Sequence, residues 1–268
     1  MGGLGEKVAE LLNELAVHPV NSLQQSVPVG QPFVLTNYIF FMTIALALTM
    51  LFFIAASRTV SLVPSGISNV AEAGVEFVRN LCIDVIGPEG ARFFPFVATI
   101  FFFILFNNIL GLIPGCKPGT GTIGVTFTLA MFSWFAFVWV GFTKNGFYGY
   151  FRSLIPSSIR QMNVFARVGL GGYVFLLEFL STFIVRPVTL AVRLFANMYA
   201  GHIILGIFAA FVALGIQSGF SFGLIPAALS GIMLVMLYAF EVFVAFIQAY
   251  VFAILTAQYI SLSIHADH

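Results

Sequence analysis

The sequence predicts an all-α, polytopic membrane protein: about five membrane-embedded helices, one interfacial amphipathic helix, and a long inclined hairpin formed by the last two helices. Three observations predict it. Of 268 residues, 60% are hydrophobic and 8% are charged, against about 25% charged in soluble domains. Mean hydropathy is +1.04. The apolar residues lie in long runs, several exceeding the ~20 residues that cross a ~30 Å hydrocarbon core.

Residues 1–32 form a polar tail ahead of a single membrane domain, 33–268. Within the tail, Gly5–Ala16 sets Val8, Leu11, Leu12 and Leu15 on one side and Glu6, Glu10 and Glu14 on another, the pattern of a surface amphipathic helix. Met1–Val17 lacks the basic start and apolar core of a signal peptide. Phe33–Ala56 is the first span, preceded by Pro32 and closed by Arg58. Ser65–Ile86 differs in kind. Asn69, Glu72, Glu76, Arg79, Asn80 and Asp84 recur at three- and four-residue steps, while Val70, Val75, Phe77, Val78, Leu81, Ile83 and Val85 fill the other side. This is a helix lying in the interface or packing on a partner, stopped at Gly87-Pro88.

Phe93–Pro114 is the second span, entered through Pro95, and residues 115–121 (GCKPGTG) turn the chain. Thr122–Phe142 is the third, followed by a polar loop over 143–169. Leu170–Phe222 and Leu224–Ile264 complete the chain as a hairpin over 170–264. As one helix, the first of these would reach ~80 Å, so it is either two spans with a break or one helix steeply inclined. Only one strong turn, Ser218-Gly219 to Pro226, separates the two segments, which favours the inclined hairpin.

Basic residues orient the spans. Arg58, Arg79, Arg92, Lys144, Arg152, Arg160 and Arg167 fall in the two longer loops; Lys7 and Lys117 fall opposite. Both loops are therefore expected inside, the tail outside the cytoplasm and the C-terminus inside. The net charge of +1 gives no reason to expect nucleic acid, and Cys82 and Cys116 have no metal-ligand spacing. No metal and no cofactor are expected.

The polar residues that remain sit in the hairpin. Glu178, Arg186, Arg193, Asn197 and His202 interrupt an apolar run, where one charged side chain costs at least ~3 kcal/mol and marks an ion path, a proton relay or a counter-ion site. Arg193 and Asn197 are four apart and share a helix face, with Thr189 one turn earlier. On an ideal helix Glu178 lies about 60° from Arg193, and His202 about 180°. In the last helix Glu241 and Gln248 are seven apart and nearly eclipsed. A guanidinium cannot release its proton, so Arg193 serves as a fixed charge and a barrier. Histidine and glutamate titrate where a relay needs them. Glu178 is open to two readings, a relay group or a structural partner of Arg186, and Asn107 and Asn108 to helix–helix bonding or ion-path lining.

The run RPVTLAVRLFANMYAGH (Arg186–His202), together with EVFVAFIQAYVFAILTAQYI (Glu241–Ile260), resembles subunit a of the F-type ATP synthase. Arg193 followed by Leu-Phe, Asn197 at plus four, then Ala-Gly-His, fits that family without a gap; Glu241 seven before Gln248, and Asn108 six before Pro114, add to it. The likeness covers nearly the whole chain. It implies a non-catalytic stator that faces a rotating c-ring and is held by the subunit b stalk. Two offset half-channels would carry protons to and from a carboxylate on the ring. Arg193 would attract that carboxylate and stop leakage; Asn197 and Gln248 would neighbour the arginine; His202 and Glu241 would line the outer half-channel; Glu178 and Asn108 would line the path. It further implies a bacterial plasma membrane, or alternatively the mitochondrial inner membrane.

Three departures stand beside the likeness. Gly111 occupies a position where many bacterial relatives carry an acid. His202 and Glu241 exchange the Glu and His that some relatives place there. Glu178 lies fifteen residues before Arg193, where fourteen is the family spacing. No phosphate-binding loop is present, so ATP chemistry would fall to partner subunits. The rival readings are a secondary transporter, which calls for an internal repeat that is not evident, and a membrane-embedded enzyme, which calls for a metal or nucleophile cluster where His202 stands alone.

Overall fold

The computed structural model describes residues 37–58, 66–113, 116, 118–154, 164–217 and 224–265. The expected polar tail, its amphipathic helix and most of the hairpin apex lie outside them. Seven α-helices occupy the described residues: α1 (Asn37–Arg58), α2 (Ile67–Ile86), α3 (Gly90–Gly111), α4 (Ile123–Ser153), α5 (Val164–Leu180), α6 (Arg186–Gln217) and α7 (Leu224–Ile264). No strand occurs among them. Five stretches are long and apolar enough to cross a membrane: Tyr38–Ser57, Gly90–Gly111, Ile123–Arg152, Gly169–Ile216 and Ile225–Ile264.

The amphipathic α2 is not one of the five. It buries Ser68, Ala71, Val78, Leu81, Cys82 and Ile86, a stripe at three-, four- and seven-residue steps. Glu72, Glu76, Arg79, Asn80 and Asp84 are exposed. The stripe is narrower than the apolar pattern alone implies, since Val70, Phe77 and Ile83 are also exposed. Gly87 ends the helix at φ 93, its N–H bonded to the Ile83 carbonyl. Glycine takes this left-handed geometry without a side-chain clash. Both cysteines are free, and burial pushes the Cys82 thiol up to about 11.

Three boundaries differ from the sequence expectation. α3 begins at Gly90 rather than Phe93, so Pro95 sits inside it. α4 continues past Phe142 to Ser153, across a break at Gly146 with φ 68 and ψ 165. Reading 143–169 as a polar loop overlooks the aromatics in it. The Tyr150 ring lies against Phe142 at 4.9 Å and so close to Gly141 that no Cβ would fit there. Last, α5 starts at Val164, ahead of Leu170, and a π-helical turn (Ser181–Val185) joins it to α6. The helix therefore runs from Val164 to Gln217 with a change of register and no loop.

By its contacts the chain divides into two units. In one, which includes Phe103–Thr122 and Phe195–Gln248, Asn197 of α6 reaches Gln248 of α7 and Gly231 of α7 lies near Val212 of α6. Later residues of one helix meet earlier residues of the other, as in an antiparallel hairpin. In the other unit, Leu51–Phe102, Ile123–Leu194 and Ala249–His268, Ser133 and Thr256 share a hydrogen bond of 2.9 Å inside the core. Phe137 packs on Tyr259 at 5.5 Å, and Phe101 lies against Phe102 at 5.1 Å.

Candidate functional site

The polar residues singled out in the sequence fall into both units. In the unit that holds Phe195–Gln248, buried polar side chains converge on α7. Gln248 is 6% exposed and Glu241 8% exposed, two turns apart on one face of that helix. The Asn197 amide donates to Gln248 Oε1 over 3.4 Å, a long bond. Gln248 Nε2 is buried with no hydrogen-bond partner among the described residues. An amide N–H in that position is available to whatever polar group comes near.

Glu241 owes its place to a glycine. Gly201 of α6 is buried, and a Cβ there would overlap the Glu241 carboxylate. The missing side chain is the space the carboxylate fills. His202, the next residue, is half-buried. Sequence reasoning singled out His202 and Glu241 and passed over Gly201; the signal was there in the small residue beside the histidine.

Asn108 is 1% exposed and acts as a clasp. Its Oδ1 accepts from Thr120 Oγ1 at 2.8 Å, and its Nδ2 lies 3.5 Å from the Ala245 carbonyl of α7, at the limit of a hydrogen bond. Ala245 is one turn from Glu241. Asn107, also fully buried, accepts the Gly119 N–H at 2.8 Å. The pair ties the turn after α3 into place and, through Asn108, touches α7 between its two polar residues. Asn107 thus bonds to the turn, and Asn108 to the turn and, at 3.5 Å, to α7.

In the unit that holds Ile123–Leu194, the two arginines of α6 are placed differently. Arg193 is exposed, and no carboxylate among the described residues pairs with it. On the same face lie Thr189, exposed, and Asn197, half-buried, while the exposed valines Val188 and Val192 flank it round the helix. Arg186 is half-buried. Its Nη2 donates to Glu178 Oε1 at 2.7 Å, and its guanidinium lies 5.2 Å from the centre of the Tyr259 ring. The two readings of Glu178 are therefore not equal in geometry: it meets Arg186, and the expected 60° offset from Arg193 does not hold. A π turn takes up about one more residue than an α turn. Fifteen residues then behave as fourteen, which carries Glu178 to about 40° on the other side of Arg193.

What this arrangement can do chemically is hold charge and pass protons. Among the described residues no group of His, Cys, Asp and Glu is arranged to hold a metal ion. A permanently charged guanidinium on an apolar surface facing lipid costs at least ~3 kcal/mol unless an anion meets it.

The family model described as "ATP synthase A chain" matches residues 39–261. The chain is 44% identical over 235 residues to the ATP synthase subunit a of Hyphomonas neptunium, covering 87% of this chain and 88% of that one. It is 40% identical over 265 residues to the ATP synthase subunit a of a Chelativorans species, covering 95% and 100%. It is 40% identical over 247 residues to that of Rhodococcus erythropolis, covering 88% and 85%.

Proposed function

Since this chain belongs to the ATP synthase subunit a family, we propose that it is the non-catalytic, proton-conducting stator of a rotary ATP synthase in a bacterial plasma membrane. It works against a c-ring and is braced by the subunit b stalk. Protons enter and leave by two offset half-channels, each reaching partway across the bilayer. Arg193 stands between them, attracts the ionised ring carboxylate and keeps protons from crossing directly.

One observation carries this reading: Arg193 is exposed within a stretch long and apolar enough to cross a membrane, with no counter-ion among the described residues. In lipid that position is costly. An acidic group on a neighbouring chain removes the cost, and because the guanidinium cannot give up its proton it can pair with that group without conducting. Asn197, one turn after Arg193 on α6, bonds to Gln248 of α7. Glu241, seated against Gly201, and His202 supply titratable groups for the outer half-channel. Glu178 lines the path, and Asn108 supports it by fixing α7. Histidine in the path favours protons over sodium.

Arg193→Ala in the complete enzyme tests the proposal. Proton-driven ATP synthesis is expected to fall to background with subunit levels unchanged; near-normal synthesis would refute the role. Cysteine at Asn197 is expected to form a disulfide with cysteines along the outer helix of the c-ring, and uniform failure along that helix argues against ring contact.

A further inference from the structure

Arg186 has no part in the mechanism above, yet it is the more tightly held of the two arginines. On an unbroken α-helix, residues 178 and 186 would be about 80° apart around the axis and about 12 Å apart along it. Residues seven apart are nearly eclipsed, about 20° off. Glu178 and Arg186 are eight apart and still meet at 2.7 Å. The π turn lies between them. By absorbing one residue, it makes a spacing of eight behave as a spacing of seven.

That turn is built in. The Arg186 N–H reaches back to the Ser181 carbonyl, the five-residue bond that defines it. The Trp134 indole N–H donates to the Thr182 carbonyl at 3.2 Å. Phe183 is gripped by Phe179 at 4.6 Å, Trp134 at 5.7 Å and Phe151 at 6.3 Å. Thr182 is 1% exposed and Ile184 51% exposed, so the turn is packed on one side only. On the far side of the ion pair, the Tyr259 ring lies 5.2 Å from the guanidinium. The arginine is held from both sides: a carboxylate on one, an aromatic face on the other.

We propose that Arg186 is a positioning residue. The π turn brings it under Glu178, Tyr259 fixes its guanidinium, and the guanidinium holds the Glu178 carboxylate in its place on the proton path. This rests on the proton-path reading of Glu178 given above. Glu178 keeps side-chain exposure of 42% while Arg186 has 15%. The carboxylate can therefore be held by the arginine and still face outward.

The test uses membrane vesicles carrying the complete ATP synthase, with ATP-driven proton pumping as the readout and the amount of this subunit as the control. Glu178→Gln and Arg186→Gln are each expected to slow pumping by about tenfold, as a coupling energy between contacting residues converts to rate. The double variant is expected to be no slower than the slower single, because both changes remove one device. Arg186→Lys is expected to restore most of the rate. Losses that multiply in the double variant overturn the proposal. Deleting Ile184 turns the π turn into an α turn and leaves Glu178 seven residues from Arg186. Pumping within about twofold of the parent is expected, since residues seven apart are nearly eclipsed. A deletion that is silent, or that does not assemble, overturns the register argument. Arg193→Ala in the same vesicles separates the two ideas. If it pumps normally, the stator reading itself has failed. If it is silent while the Glu178 and Arg186 losses multiply, only the positioning role has failed.

Discussion

Two arginines seven residues apart on α6 have opposite surroundings. Arg186 is half-buried, bonded to Glu178 and set against Tyr259. Arg193 is exposed, with no counter-ion among the described residues. Both carry the same permanent charge, and in a bilayer both need an anion. One anion is supplied by the chain itself, so that arginine belongs to the architecture. No described residue supplies the other, and it is this arginine that we propose meets an acidic group on a neighbouring chain. The difference shows why charge alone does not identify the working residue: the unsatisfied one is the informative one.

The largest expected effect breaks the comparison outright. Arg193→Ala abolishes ATP synthesis, whereas Arg186→Gln leaves a slowed but measurable rate; equal loss at both positions would erase the distinction drawn here. Next comes Gly201→Leu. Its side chain needs the space of the Glu241 carboxylate, and a tightly packed neighbour cannot yield without displacement. Proton pumping is expected to fall by about tenfold or more, the scale of the ~1–3 kcal/mol that overpacking costs. Gly201→Leu vesicles that pump normally would show that the carboxylate's position does not matter.

Asn108→Ala is expected to act on stability more than on conduction. It leaves the buried Thr120 hydroxyl without its 2.8 Å acceptor, a loss of about 1–3 kcal/mol. The check is the thermal unfolding of the solubilised complex beside its pumping rate. A silent but equally stable complex would make Asn108 a conducting group. The smallest effect is at an exposed ion pair, where Lys144 meets Glu89 at 2.7 Å. The hydrogen bond from Lys144 holds the Glu89 carboxyl below the usual range. A lowered carboxylate stabilises the fold above its unfolded value, and that contribution is lost as pH falls through the folded one. Because the pair is exposed, Glu89→Gln should change stability little at neutral pH, and the parent and variant should converge as the pH falls below the usual carboxylate range; a variant that unfolds markedly earlier at neutral pH would contradict this.

Much of this was legible in the sequence. Five long apolar runs match the five spans, because a bilayer demands length and apolarity of a helix and little else. Arg193, Asn197, Glu241 and Gln248 stood out because polar residues are rare where water is absent. The π turn did not stand out. A helix that bonds five residues back uses the same residue types as one that bonds four back, and its effect is on phase, which composition does not record. The turn takes up one of the fifteen residues between Glu178 and Arg193, so the two stand in the phase of residues fourteen apart. The extension of α4 past Gly146 was hidden similarly. Lys144 and Asn145 read as a loop, while the aromatic packing of Tyr150 on Phe142 keeps the chain helical beyond them.

By itself the sequence determined the solvent of each segment, the family and the identity of the charged residues, because those follow from side-chain chemistry and short-range periodicity. Tertiary structure decided which charge is answered within the chain and which is left facing outward. That choice depends on the angular register between helices and on which ring or carboxylate lies a few ångströms away, and those are set by packing between distant parts of the chain.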